Sequence, residues 1–169
     1  VSGHFGKEKV GVDRELKSWA VAFDGSAAID PHVVLRGELF KGSNLIPFQG
    51  GIDQGAALVA GTPVLIQEID ARGGWGEVTI LPKADGKDAV YVGAGKDKPN
   101  VDTLLPGSTR TDNSFIWVSY FRKLNDSVTL AAEWSHWAFR TVAFVGNVPG
   151  APSATSIANT MNISLAYQF

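Results

Sequence analysis

Hydrophobic and polar positions alternate with a period of two along most of the chain, in segments rich in Val, Ile, Phe, Trp and Tyr between clusters of Gly, Pro, Asn and Asp. Helical periodicity is scarce. The pattern predicts about eight strands, close to residues 1–10, 17–29, 32–42, 73–81, 88–97, 113–124, 127–139 and 156–169. Each has two unlike faces. In the last, Met161, Ile163, Leu165, Tyr167 and Phe169 oppose Thr160, Asn162, Ser164, Ala166 and Gln168. In the second, Trp19, Val21 and Phe23 oppose Ser18, Ala20, Ala22 and Asp24, and in the third Val33, Leu35 and Leu39 oppose Arg36 and Glu38. In the seventh, Val128, Leu130, Ala132 and Trp134 oppose Thr129, Ala131, Glu133 and Ser135. The sixth is less clean, because Phe115 and Trp117 load one face while Ile116 and Val118 load the other. Contacts with protein on both sides, as at a subunit interface, would account for that.

The connections alternate as well. "DP", "PKADGK" and "ND" are tight turns, whereas "GVDREL", the segment from Ser43 to Arg72, "KPNVDTLLPGSTRTD" and "RTVAFVGNVPGAPSAT" are longer. A membrane barrel with tight periplasmic turns and long extracellular loops has this rhythm, and a soluble up-and-down barrel has no reason for it. Counting back from Phe169 puts the C-terminus on the short-turn, periplasmic side. The alternative is a soluble sandwich or barrel whose apolar face is its core.

Composition narrows the choice. The net charge is −2, too neutral for a polyanion-binding surface, so nucleic acid is not an expected partner. There is no cysteine, and hence no disulfide, thiol nucleophile or thiolate metal site. No apolar run is long enough for a transmembrane helix, which leaves a strand-built membrane protein open. The chain starts at Val1 without a signal-peptide pattern, as a processed or truncated product would.

The final strand, ending on an aromatic in pattern, resembles the C-terminal signature of bacterial outer-membrane β-barrels, which in that class is read by the barrel insertion machinery. The motifs "GHFGKE", "GELFKG", "GGWGEVTI", "VGAGKDKP" and "AAEWSHWAFRT", in that order, resemble the C-terminal half of a DcaP-like porin. The resemblance implies an all-β, antiparallel up-and-down transmembrane barrel in the outer membrane, commonly sixteen-stranded and homotrimeric. It implies passive diffusion of small hydrophilic solutes, with some relatives favouring anionic or dicarboxylic ones, and no cofactor or enzymatic activity. Residues 1–169 would then be one barrel domain or barrel segment with a long extracellular loop near 43–72. The small residues expected inside, among them Ala20, Ala22, Ala131 and Ser164, favour a wide pore over a packed plug.

Candidate residues follow from the faces. Asp24, Arg36, Glu38, Glu77 and Glu133 are expected to line the pore, since charge on a lipid-facing position is costly. Asp53, Gln54 and Gln67 lie in the long loop, which would either narrow the pore or latch a neighbouring subunit. Trp19, Trp134, Tyr167 and Phe169 are candidate membrane-interface aromatics contacting outer-membrane lipid. His4, His32 and His136 sit in no catalytic or metal-binding motif. "GAGKDKP" lacks the spacing of a phosphate loop and reads as a strand end with a turn, whose Lys96 and Lys98 are solvated loop charges.

Overall fold

A computed structural model describes residues 1–10, 14–45, 55–59, 65–83, 85–106, 110–146 and 148–168. The chain is all-β. Its strands are β1 (Ser2–Val10), β2 (Arg14–Asp30), β3 (Val33–Ser43), β4 (Ala56–Val59), β5 (Leu65–Glu68) and β6 (Asp70–Ile80), then β7 (Asp88–Pro99), β8 (Arg110–Lys123), β9 (Val128–Val145), β10 (Val148–Pro152) and β11 (Ser156–Tyr167). Every pairing is antiparallel, and β1-β2-β3-β6-β7-β8-β9 form an up-and-down sheet that β11 and β10 complete beside β9. The sheet is open: among the described residues the outer edges of β1 and β11 pair with no strand.

All eight predicted strands are present, and the differences lie at one end. There β2, β8 and β9 run further than their apolar alternation, to Arg14, Arg110 and Val145. Backbone pairing needs no apolar side chain, and charged partners such as Lys7 and Glu15 (2.9 Å) are enough to carry a strand beyond it. Only residues 11–13 therefore join β1 to β2, so the predicted alternation of short and long connections fails at this pair. Lys96 and Lys98 are not loop charges either, because both belong to β7.

The other connections at this end fold on one another. The segment between β3 and β6 contains the β4–β5 hairpin, and Asn44 N–H donates to the Ile69 carbonyl (3.1 Å) while Ile69 N–H donates to that of Gly55 (2.8 Å). Ile69, Leu104, Leu105 and Val142 form a small buried cluster against Phe144. Leu45 lies over Gly42, where a Cβ would strike it. At the opposite end the turns are tight. Asn125 Oδ1 accepts from the backbone of Ser127 and Val128 (both 2.9 Å), and the Leu81 backbone N–H donates to the His32 carbonyl (2.7 Å).

The register staggers the sheet steadily. A line perpendicular to the strands passes from Ser2 through Ala22, Phe40, Gly73, Asp97, Asn113 and Phe139 to Ser156. It enters at the first residue of β1 and leaves at the first of β11, which runs the opposite way. The sheet is a sheared parallelogram, not a rectangle.

Candidate functional site

The register sorts the side chains into two faces, and their burial is the reverse of a water-soluble sheet. On β8, Ile116, Val118 and Tyr120 expose 46%, 42% and 36%, whereas Ser119, on the other face, exposes 3%. The same contrast runs across neighbouring strands. Leu35, Leu39, Val92, Trp134, Met161 and Ile163 are exposed on the apolar face, while Thr79, Asp97, Asn113 and Ser135 are buried on the other. Side chains thus crowd on the face that carries the polar groups.

All five pore-lining candidates fall on that charged face. Asp24 stands opposite Glu38, and Arg36 stands opposite Glu77. Glu133 pairs across from Ser119, whose hydroxyl donates to Glu133 Oε2 (2.8 Å), and Thr79 Oγ1 donates to Glu77 Oε1 (3.3 Å). Asp97 adds a further carboxylate, accepting from Asn113 Nδ2 (2.8 Å). Among the described residues Arg36 is the one cation amid these carboxylates in the middle of the sheet.

Pattern reading misses what lies beside them. The row Asp24, Glu38, Trp75, Gly95, Phe115, Trp137 and the next, Arg36, Glu77, Gly93, Trp117, Ser135, put four large rings on the charged face. Phe115 stacks on Trp137 (centroids 4.7 Å apart) and on Trp117 (5.4 Å), and Trp75 is tilted against Trp117 (6.4 Å). Trp117 and Phe115 lie flat over Gly93 and Gly95 of β7, where a Cβ on either glycine would run into the ring. This pairing of ring and cross-strand glycine explains the glycines of "VGAGK". It also gives the rings of β8 a seat on the charged face within this chain. Trp75, Glu77, Phe115, Trp117, Glu133, Ser135 and Trp137 line a shallow hollow of about 370 Å³. The Trp137 indole N–H donates to Ser135 Oγ (3.0 Å), which satisfies that polar edge of the shelf. The signal was present in the sequence as two glycines at alternate positions, legible only once β7 is paired with β8.

The remaining candidates are dispersed. Trp19 lies opposite Phe5, Trp134 between Val118 and Met161, and Tyr167 opposite Val128, all on the apolar face. Phe169, Asp53 and Gln54 lie outside the described residues. Gln67 pairs with Ala57 in the β4–β5 hairpin, whose Glu68 Oε1 accepts from Lys17 N–H (2.8 Å) where β2 outruns β3. The histidines occupy separate elements. His4 Nε2 is near Ser18 Oγ (3.4 Å), His32 Nδ1 near the Leu81 carbonyl (2.8 Å) and His136 Nδ1 near Asn159 Oδ1 (2.9 Å). Among the described residues no His, Asp and Glu cluster is arranged to hold a metal, and no helix is long and apolar enough to cross a membrane, which says nothing of strands.

Comparison with protein-family models, curated proteins and solved structures finds no match.

Proposed function

We propose that this chain is wall of a bacterial outer-membrane β-barrel porin, a passive channel for small hydrophilic solutes, with its short turns periplasmic. The observation that carries the reading is the inverted sheet, exposed where it is apolar and crowded where it is charged. Lipid stabilises the first face and an aqueous lumen the second. The stagger supports it, because strands that tilt around a barrel axis require a steady shear of the hydrogen-bond register. The two open edges of β1 and β11 then need partners, since unsatisfied backbone is not tolerated in lipid. Further strands of a larger barrel, assembled as a trimer, would supply them.

The charge on the wall refines the solute class. With Asp24, Glu38, Glu77, Asp97 and Glu133 against Arg36, this stretch of lumen concentrates cations, whereas some of the porins it resembles favour anions. The aromatic shelf beside Glu77 and Glu133 suits solutes with a flat or cationic face. Planar-bilayer recordings on protein from native outer membranes test this. The expected result is a stable open conductance with reversal potentials on the cation-selective side, reduced in E77Q/E133Q. Absence of conductance from folded, heat-modifiable protein would sink the porin reading.

One observation favours a second reading, a structural barrel without a pore. The rings of Trp75, Phe115, Trp117 and Trp137 would fill much of the interior if eight strands closed on themselves, as the insides of small barrels are filled. The intact mass of the protein in native membranes separates the two. A mass near the 18.0 kDa of this sequence favours the filled barrel, and one about twice as large favours the pore.

A further inference from the structure

The apolar face carries a charged band near its long-connection end. Lys41 on β3 pairs with Arg72 on β6, which pairs with Lys98 on β7, so three exposed cations stand abreast on adjacent strands whose backbones run about 4.8 Å apart. Arg140, exposed on β9, extends the band, and Asp112 sits opposite it. Asp112 Oδ2 is shared by Lys96 and Lys98 (3.1 Å to each), so one carboxylate faces two ammonium groups. Lys41, Arg72 and Lys98 line a hollow of about 500 Å³ with Asp70, Asn100 and Asp102, and across the band the cations outnumber the carboxylates.

Along the same strands, toward the short turns, the surface turns apolar. Leu39, Gly74, Gly76, Ala94 and Ile116 line a mainly apolar groove of about 670 Å³ there, together with the polar Lys96, Ser114 and His136. It is open because Gly76 leaves it open: a Cβ on that residue would meet nothing nearer than the Arg36 carbonyl oxygen at 3.9 Å. A cation row above an open apolar trough on an exposed sheet face has the two halves of an amphiphile site.

We infer that Lys41, Arg72 and Lys98 bind the phosphorylated headgroup of an outer-leaflet glycolipid, with an acyl chain lying in the groove over Gly76 and Ala94. The inference rests on the membrane reading above and names what the wall's outer surface holds. Phosphate monoesters satisfy the cation row, which an uncharged headgroup cannot, and the trough buries chain methylenes at the same time. Asp70 and Asp102 limit the site to a headgroup that keeps its phosphates toward the lysines and arginine.

The test uses the protein extracted from native membrane, delipidated in detergent and observed by native mass spectrometry with three probes: bisphosphorylated lipid A, its dephosphorylated form and inorganic phosphate. The wild type is expected to retain the phosphorylated lipid in preference to the dephosphorylated one, and K41Q/R72Q/K98Q to weaken that retention on the order of 100-fold, at roughly fivefold per cation. G76V, which fills the trough, should weaken both lipids, and millimolar inorganic phosphate should displace neither. Equal retention by the triple variant, or displacement by inorganic phosphate, overturns the lipid site. A wild type that is heat-modifiable and inserts into vesicles but shows no preference overturns this inference alone. One that neither inserts nor becomes heat-modifiable overturns the membrane reading beneath it.

Discussion

Strand β8 is loaded with large residues on both sides, yet its two faces answer different demands. Ile116, Val118 and Tyr120 keep a third to nearly a half of their surface exposed on the apolar face, whereas Phe115 and Trp117 lie over glycines of β7, with Phe115 stacked on Trp137. A contiguous exposed aliphatic face calls for a cover, either lipid or another protein surface. Recumbent rings, by contrast, need gaps cut for them in the adjacent strand. Hydrophobicity alone does not tell these two uses apart; the residue across the strand does.

The comparison breaks most visibly when charge is moved to the wrong side. Val118→Arg is expected to cost about 2–4 kcal/mol in a lipid-embedded wall, while Thr160→Arg on the charged face stays within about 0.5 kcal/mol. Urea titration of the heat-modifiable form in vesicles measures both, and equal costs would contradict the assignment of faces. Glycines sharpen it next. Gly93→Val places a branched side chain where the Trp117 ring lies and should destabilise by about 1–3 kcal/mol. Gly76→Ala, on the open side, should be close to neutral in the same titration. The smallest effect belongs to the rim: Asp112→Asn loses its contacts with two exposed lysines, and a change below about 1 kcal/mol is expected.

Much of this was legible from alternation. Eight of the nine strands of the sheet and the face of every described strand residue proposed as pore-lining or lipid-facing follow from the period of two, because a pleated strand leaves no other choice. What lay beyond reach was whatever depends on a neighbour. The β4–β5 hairpin and β10 carry too few residues for a pattern, and the outrunning ends of β2 and β8 are held by backbone pairing with charged side chains. Lys96 and Lys98 looked like loop charges for the same reason. Their partner Asp112 is fixed only by how β7 and β8 are brought into register. The seating of Phe115 and Trp117 over Gly95 and Gly93 is likewise a property of two strands and of neither alone.

The shear of the sheet has a bearing on travel. In a barrel wall whose strands tilt, a row of cross-strand partners does not lie level but climbs, as the line from Ser2 to Ser156 does. In such a barrel the row from Asp24 and Glu38 through Trp75 and Phe115 to Trp137 would form a ramp, carboxylates at its foot and rings toward its head. A solute rising from the short-turn rim would be handed from one kind of attraction to the other, a staircase of weak holds in place of a single tight collar.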